Sequence, residues 1–178
     1  MSLTPDEKLD EKTMHITSFV TPYGWMAAAW SRAGLQGLSL PRSSQEEARL
    51  ALAGKLNKCL SNLPFPTQPR TAEEAVLEEE ILRYLAKERV HFSTRIDFSG
   101  YTAFQKRVLE VVRAIPYGET RTYGEVALQA NRSKGAARAI GGVMRINRTP
   151  IVIPGHRVIA AGGLGGYSGG LVVKKCLL

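Results

Sequence analysis

Residues 102–146 constrain the fold of this chain more than any other stretch. Thr102 and Gln105 have the spacing of a helix capping box, and the apolar residues after them fall on one helical face. Two shorter helical patterns follow, joined by a polar turn at the spacing of a helix-turn-helix. The predicted elements are helices over 102–115, 122–130 and 135–146, a turn over 131–135 and a last short helix over 171–178. We therefore expect a mainly α domain with a helix-turn-helix over 93–178.

The first half of the chain has a different pattern. Apolar residues alternate between turn sequences, which is typical of an antiparallel sheet, and two helical stretches follow. The predicted elements are strands over 15–20, 25–30 and 35–40 and helices over 45–60 and 71–88. Ser43 or Ser44 and Thr71 are the expected helix N-caps. We predict a small α/β domain over 1–92, with the boundary inside an extended connector over 90–101.

Several classes of protein are excluded by composition. No apolar run approaches the roughly 20 residues that span a bilayer, and the charged start is unlike a secretory signal. Two cysteines (Cys59 and Cys176) and three scattered histidines (His15, His91 and His156) are too few for a disulfide framework or a metal site. The glycine-rich C-terminal segment matches neither the P-loop nor the dinucleotide-binding pattern. We expect no metal, no cofactor and no membrane association, and a cytoplasmic (nucleoid-associated) or nuclear location.

The positive charge is concentrated in the second half. Residues 1–103 hold 12 Lys/Arg and 13 Asp/Glu, whereas residues 104–178 hold 12 Lys/Arg and 3 Asp/Glu, a net charge of +9. Such asymmetry is typical of a nucleic-acid-binding module, because each cation placed on a phosphate releases condensed counterions. A merely basic, soluble surface would have the same composition.

The helix predicted over 135–146 is rich in alanine and glycine. Gly141 and Gly142 are poor helix formers, so their presence suggests that something approaches the backbone closely. A nucleic-acid groove or phosphate backbone would fit that description, and so would tight packing against a neighbouring helix.

An ordered set of motifs connects these features. It consists of TYGEVA, ARAIGGVMRIN, P-x-x-I-P-x-H-R-V and GGYSGGL, within about 75 residues. With these separations the set resembles the O6-alkylguanine-DNA alkyltransferase family. The resemblance implies that the C-terminal domain is a winged helix-turn-helix. It also implies a monomer that binds duplex DNA in the minor groove, flips out an O6-alkylguanine and transfers the alkyl group to its own cysteine. Its partners would be double-stranded DNA carrying O6-alkylguanine and downstream repair proteins.

The reactive motif departs from the family at one position. The family reads P-C-H-R-V, whereas Gly155 stands here between Pro154 and His156. Displacement at an alkyl carbon needs a soft nucleophile such as a thiolate, and glycine has no side chain. The family helix also continues to a glutamate that bonds the histidine, and the sequence ends at Leu178. We therefore predict that His156 and Asn147 remain in place while direct alkyl transfer is lost.

The residues that would recognise DNA are present. By resemblance, Tyr123 lies against the phosphate beside the target and Arg138 fills the space that the flipped base leaves. Alone, they would be interpreted as a core aromatic and a solvated surface charge. Asn147 should order its turn. The expected base pocket comprises Pro150, Tyr167, Ser168 and the carbonyls of Gly155 and Val158, with Gly166, Gly169 and Gly170 closing the loop. Arg132, Lys134, Arg145, Arg148 and Lys174 should form a basic surface that faces phosphate or solvent.

Three functions follow from these residues. The first is a lesion-binding member of the family, either naturally without its cysteine or with the cysteine substituted by experiment. The second is a winged-helix transcription regulator that reads sequence in the major groove, although Ala and Gly offer few donors for base edges. The third is a transferase that uses another nucleophile.

Overall fold

The computed structural model describes residues 14–58, 70–130 and 136–178. In chain order its elements are β1 (His15–Thr21), β2 (Gly24–Ser31), β3 (Gly34–Leu38), α1 (Gln45–Leu56), α2 (Ala72–Leu85), α3 (Ala103–Arg113), β4 (Arg121–Thr122), α4 (Tyr123–Gln129), α5 (Ala137–Arg145), a 3₁₀ turn (Gly155–Arg157), β5 (Val158–Ile159) and α6 (Leu171–Leu177). A small antiparallel sheet with helices precedes a mainly α part, which confirms the predicted fold class.

The sheet of the first half has the order β1-β2-β3, antiparallel throughout. The tight turn between β1 and β2 needs glycine, because Gly24 has φ +120 and a Cβ there would lie 2.3 Å from the Arg42 carbonyl oxygen. Alternation along the strands sends Ile16, Ala27 and Ala29 towards α1. The opposite face, with Phe19, Met26 and Leu38, packs against α2 and forms the larger apolar cluster.

Side-chain caps set where α1 to α4 begin. Thr102 with Gln105 and Thr71 with Glu74 form complete capping boxes, which confirms both predicted starts. Two helices end earlier than predicted. The helix predicted over 45–60 ends at Leu56 because the next residue, Asn57, adopts the left-handed conformation (φ 51) and caps it. The helix predicted over 71–88 ends at Leu85, two residues before Lys87 turns left-handed (φ 68).

A second core holds the C-terminal half together. It is built from α3, α4 and α5, with Val108, Val112, Val126, Ile140 and Val158 among its buried members. The predicted helix-turn-helix pair corresponds to α4 and α5, while the turn over 131–135 lies outside the described residues. The sequence did not predict the short parallel pairing of β4 with β5, because two-residue strands carry no periodicity.

The two halves share apolar contacts. Ile151 and Val152 belong to the larger cluster of the first half, and Ile96 packs against both clusters. The domain boundary at residue 92 stays a prediction. Within the described ranges, no helix is long and apolar enough to span a membrane, and no group of three or more potential metal ligands comes together.

Candidate functional site

A cleft of about 510 Å³ opens in the C-terminal half between α4, α5, the 3₁₀ turn and the loop before α6. Its walls are formed by Tyr123, Arg138, Gly141, Gly142, Met144, Arg145, Gly155, Gly166, Tyr167 and Ser168. The motifs that the sequence analysis singled out therefore meet at one place, although they are spread over 46 positions of the chain.

One wall, which we call the rim, consists of the α5 residues Arg138, Gly141, Gly142 and Arg145. Both arginines are exposed, and within the described part of the chain neither forms an ion pair with a carboxylate. A Cβ added at either glycine would meet nothing within 4 Å. Tight packing against a neighbouring helix is therefore the wrong explanation for these glycines, and the rim is an open, cationic surface.

The opposite side, which we call the floor, is the segment Gly155–Val158. Gly155 is buried, its φ is not positive, and a Cβ there would lie 3.5 Å from Asn147 Nδ2, 3.5 Å from Met144 Sδ and 4.0 Å from Tyr167 Cε2. These are ordinary van der Waals distances. Neither backbone conformation nor space requires glycine at this position, so a larger side chain would fit.

Asn147 fixes the turn that leads to the floor. Its side chain is buried, donates from Nδ2 to the Ile153 carbonyl at 3.0 Å and accepts from the Thr149 backbone N–H at 3.0 Å. Inside this turn Ile151 has φ 73, a conformation that costs energy for a β-branched residue. The asparagine therefore holds a strained segment in shape through two hydrogen bonds.

His156 is fully buried beside Gly155. Its Nε2 forms a 2.8 Å hydrogen bond with the Tyr84 hydroxyl of α2, while Nδ1 has no partner among the described residues. Burial, followed by the charges of Arg157 and Lys174, lowers the pKa of His156 to about 3. The imidazole is thus neutral near pH 7 and a weak base. Tyr84 was not predicted as a partner, because it lies 72 positions away and no local pattern connects it with His156.

Lys174 corrects one expectation. It was predicted as a surface cation, yet it is fully buried and donates to the carbonyls of Val158 (2.6 Å), Leu164 and Gly166. Burial lowers the pKa of its ammonium group. The prediction was wrong because the Lys174 side chain points into the loop that α6 closes, where these three carbonyls converge. Lys174 therefore fastens the floor to the loop over 164–166.

Two tyrosines complete the cleft. The Tyr167 ring packs edge-on against His156, with 6.3 Å between centroids and 85° between planes. Its hydroxyl is buried without a partner among the residues described, and burial raises its pKa. Tyr123 is half-buried and donates to the Gly166 carbonyl at 3.3 Å.

A Cβ at Gly169 would lie 2.5 Å from Leu40 Cδ1, so this glycine lets the loop pack on the first half.

Other predicted residues lie elsewhere. Pro150 and Val158 are buried outside the cleft lining, and the Val158 carbonyl already accepts from Lys174. Arg148 lies with its guanidinium 4.6 Å from the Tyr101 ring centroid and donates to the Ser99 carbonyl. Arg132 and Lys134 fall outside the described residues. Met144 also lines the cleft, a position that was not predicted from the sequence.

The described lining of the cleft includes no cysteine. Cys176 is exposed on α6 and lines a separate, mainly apolar groove of about 430 Å³ together with Tyr23 and Val172. Cys59 lies outside the described residues. Among the residues that the structure describes, the cleft walls therefore contain no thiol.

Comparisons with known proteins give one consistent result. Residues 103–178 match the family model described as 6-O-methylguanine DNA methyltransferase, DNA binding domain. The chain is 47% identical over 119 residues to a methylated-DNA–protein-cysteine methyltransferase of Mycolicibacterium paratuberculosis, covering 66% of this chain and 70% of the relative. A Mycobacterium bovis protein of the same description is 46% identical over 101 residues, 56% of this chain and 60% of the relative. The chain thus spans 60 to 70% of the length of these two curated relatives.

Solved structures extend the likeness over most of the chain. The crystal structure of Mycobacterium tuberculosis O6-methylguanine methyltransferase has a TM-score of 0.71 at 34% identity and covers 93% of this chain and 91% of that one. The structure of M. tuberculosis OGT in complex with DNA has a TM-score of 0.70 at 33% identity, covering 92% and 90%. None of these comparisons favours a transcription regulator.

Proposed function

Because this chain belongs to the O6-methylguanine-DNA methyltransferase family, we propose that it binds duplex DNA in the minor groove and holds a flipped O6-alkylguanine without accepting its alkyl group. The observation that carries this proposal is the cleft itself. Tyr123, Arg138 and Tyr167 surround a position, Gly155, that has space for a side chain and lacks one. The structure of a family member with DNA supports DNA as the partner.

The rim is the proposed DNA-facing surface. Extruding a base costs a few kcal/mol of lost stacking and pairing, which a side chain inserted into the vacated space offsets. Arg138 is exposed and without an ion pair among the residues described, so it is available to insert and to stack on neighbouring bases. Arg145 lies about two helical turns further along the same face of α5 and would contact phosphate.

The base would lie between the rim and the floor. Tyr167 offers a ring face and a buried hydroxyl that lacks a partner, and such a group gains a hydrogen bond when a base edge reaches it. Ser168 is exposed at the cleft, where its backbone N–H can reach O6 of the guanine. Tyr123 is placed at the cleft margin by its bond to Gly166, close to where the adjacent phosphate would lie.

The absence of alkyl transfer follows from the residues of the floor. Transfer requires a thiolate in line with the O–C bond, and the residue at the reactive position is Gly155. His156 cannot replace it, because its ring is fully buried and hydrogen-bonded to Tyr84. The exposed thiol of Cys176 lies in a different groove. The lesion would therefore be bound and left intact, available to other repair proteins.

Equilibrium binding tests this function. We expect tighter binding to a duplex with one O6-methylguanine than to the same duplex with guanine, in at least two unrelated sequence contexts. The matched control is Tyr167→Ala, which removes a cleft wall but leaves the rim cations, so it should lower lesion affinity and spare binding to undamaged DNA. Equal affinity of the wild type for both duplexes, or preference for one sequence without a lesion, would refute the proposal.

A further inference from the structure

The hydroxyl of Tyr84 lies at a buried junction between the two halves of the molecule. Tyr84 belongs to α2, only 3% of it is exposed, and it contacts three groups of the C-terminal half. These groups are His156 Nε2 at 2.8 Å, the Leu177 carbonyl at 3.3 Å and Arg157 Nη2 at 3.4 Å. A single atom of the first half therefore holds the floor and α6 at once.

The chemistry of these three neighbours assigns the protons. A carbonyl only accepts and a guanidinium only donates, while a phenol has one proton and two lone pairs. All three contacts are satisfied when Tyr84 donates to Leu177 and accepts from both Arg157 and His156. The imidazole proton is then on Nε2. The lone pair is left on Nδ1, which has no partner among the residues described.

We propose that Tyr84 is a positioning residue for the lesion cleft: its hydroxyl fixes the His156 ring as the Nε2–H tautomer, and through that ring it fixes the Tyr167 wall. The part that concerns the base rests on the function proposed above. The path is short, because His156 contacts Tyr84 directly and packs edge-on against Tyr167. The first half of the chain, whose own residues form little of the cleft, would thus help to hold the cleft in shape through Tyr84.

The position of Tyr84 explains how a fully buried imidazole keeps one orientation. Without the hydroxyl, Nε2 would lose its partner and neither ring nitrogen would favour the proton. Rotation of the ring would then cost little hydrogen-bond energy, and the packing contact with Tyr167 would loosen. Arg157 is anchored separately, because it also donates to the Ile115 carbonyl at 2.7 Å, so the floor backbone should stay in place.

The test compares Tyr84→Phe with Tyr117→Phe. Tyr117 belongs to the same aromatic cluster, 5.8 Å from the Tyr84 ring, but its hydroxyl donates to the Lys87 carbonyl and does not touch His156. The first readout is the ¹⁵N spectrum of histidine-labelled protein without DNA, with His156 assigned by replacing the other two histidines. We expect the wild type and Tyr117→Phe to have the proton on Nε2, and Tyr84→Phe to have a mixture of tautomers.

The second readout is affinity for the O6-methylguanine duplex. Tyr84→Phe should weaken it by about threefold to tenfold, the effect expected from the lost hydrogen bond to His156, and leave affinity for undamaged DNA unchanged. Tyr117→Phe should change neither. A wild-type proton on Nδ1, or an unchanged spectrum in Tyr84→Phe, would overturn the tautomer assignment. A changed spectrum with unchanged lesion affinity would overturn the role in the cleft.

The two readouts separate this proposal from the proposed function. A wild type without lesion preference would refute the function and, with it, the role of Tyr84 in holding the base. The nitrogen spectrum would still support or contradict the hold of Tyr84 on His156, because it needs no DNA. Its first step uses only the wild type, so the tautomer of His156 can be determined even if Tyr84→Phe fails to fold.

Discussion

The rim and the floor of the cleft differ in how their polar groups are satisfied. On the rim, Arg138 and Arg145 are exposed and form no ion pair within the described part of the chain. On the floor, the neighbours of Gly155 are buried, and Arg157 and Lys174 are bonded to backbone carbonyls. An exposed cationic surface without ion pairs suits a partner that brings its own negative charge, whereas a buried segment whose cations are bonded to backbone carbonyls suits the precise placement of one group.

The contrast makes the vacancy at Gly155 informative. The surrounding bonds hold a site in shape, with space for a side chain, around a residue that contributes no functional group. Binding and chemistry are therefore separable in this molecule: substitutions in the rim should alter DNA binding, and substitutions in the floor should alter stability and geometry.

The largest expected effect is on the floor. Lys174→Met removes a buried ammonium group and takes its hydrogen bonds away from the carbonyls of Val158, Leu164 and Gly166, of which Gly166 keeps only its bond from Tyr123. The free energy of unfolding should fall by about 3 kcal/mol or more. Lys175→Met, its exposed neighbour on α6, should stay within about 0.5 kcal/mol of the wild type. Urea denaturation measures both. Similar losses in the two variants would show that Lys174 does not fasten the floor.

The next effect is on the rim. Arg138→Ala should lower affinity for the lesion duplex by about tenfold or more, and affinity for undamaged DNA much less, because only the flipped state uses its insertion. Arg145→Ala should weaken both complexes to a similar extent, since a phosphate contact carries no lesion information. Titrations at one fixed salt concentration compare them. Equal losses on both duplexes for Arg138→Ala would mean that this arginine only neutralises phosphate.

The sequence predicted the elements of this fold better than it predicted the floor. Capping boxes and apolar periodicity are local signals, so the helix starts at Thr71 and Thr102 and the three-stranded sheet could be predicted. The bonds of His156 and Lys174 join residues that are distant in sequence or hidden inside a loop. No local pattern encodes such partners, and a lysine on a short basic helix resembles any solvated lysine.

A third effect concerns pH. Burial places the folded-state pKa of His156 near 3, below its usual 6.5, so between these values the unfolded chain binds the extra proton. The neutral, buried imidazole therefore contributes its full share to the free energy of unfolding above pH 6.5. That share is lost as the pH falls towards 3, by up to about 1.4 kcal/mol per pH unit.

Urea denaturation between pH 7 and pH 4 checks this dependence. His156→Gln should flatten the acid slope relative to the wild type, whereas His91→Gln, at an exposed position, should retain it. Identical slopes for the wild type and His156→Gln would contradict a neutral, buried imidazole.

The smallest effect concerns the rim glycines, which weaken the helix and leave room for DNA to approach its backbone. Gly141→Ala adds a methyl group into open space and removes a poor helix former, so it should raise stability by about 0.5–1 kcal/mol. DNA affinity should nevertheless fall if the phosphate backbone approaches this part of α5. Urea denaturation and DNA titration of the same preparation measure both effects. A gain in both would show that DNA does not approach the helix at Gly141.

The most direct measurement is the intact mass of the wild type and of Gly155→Cys after each has been incubated with an O6-methylguanine duplex. The variant should gain the mass of one methyl group in place of a hydrogen, because the floor has room for a thiol at the position where the family carries its acceptor. The wild type should bind the same duplex and keep its mass. A methylated wild type, or a Gly155→Cys variant that binds the lesion and never becomes methylated, would contradict a cleft that lacks only its nucleophile.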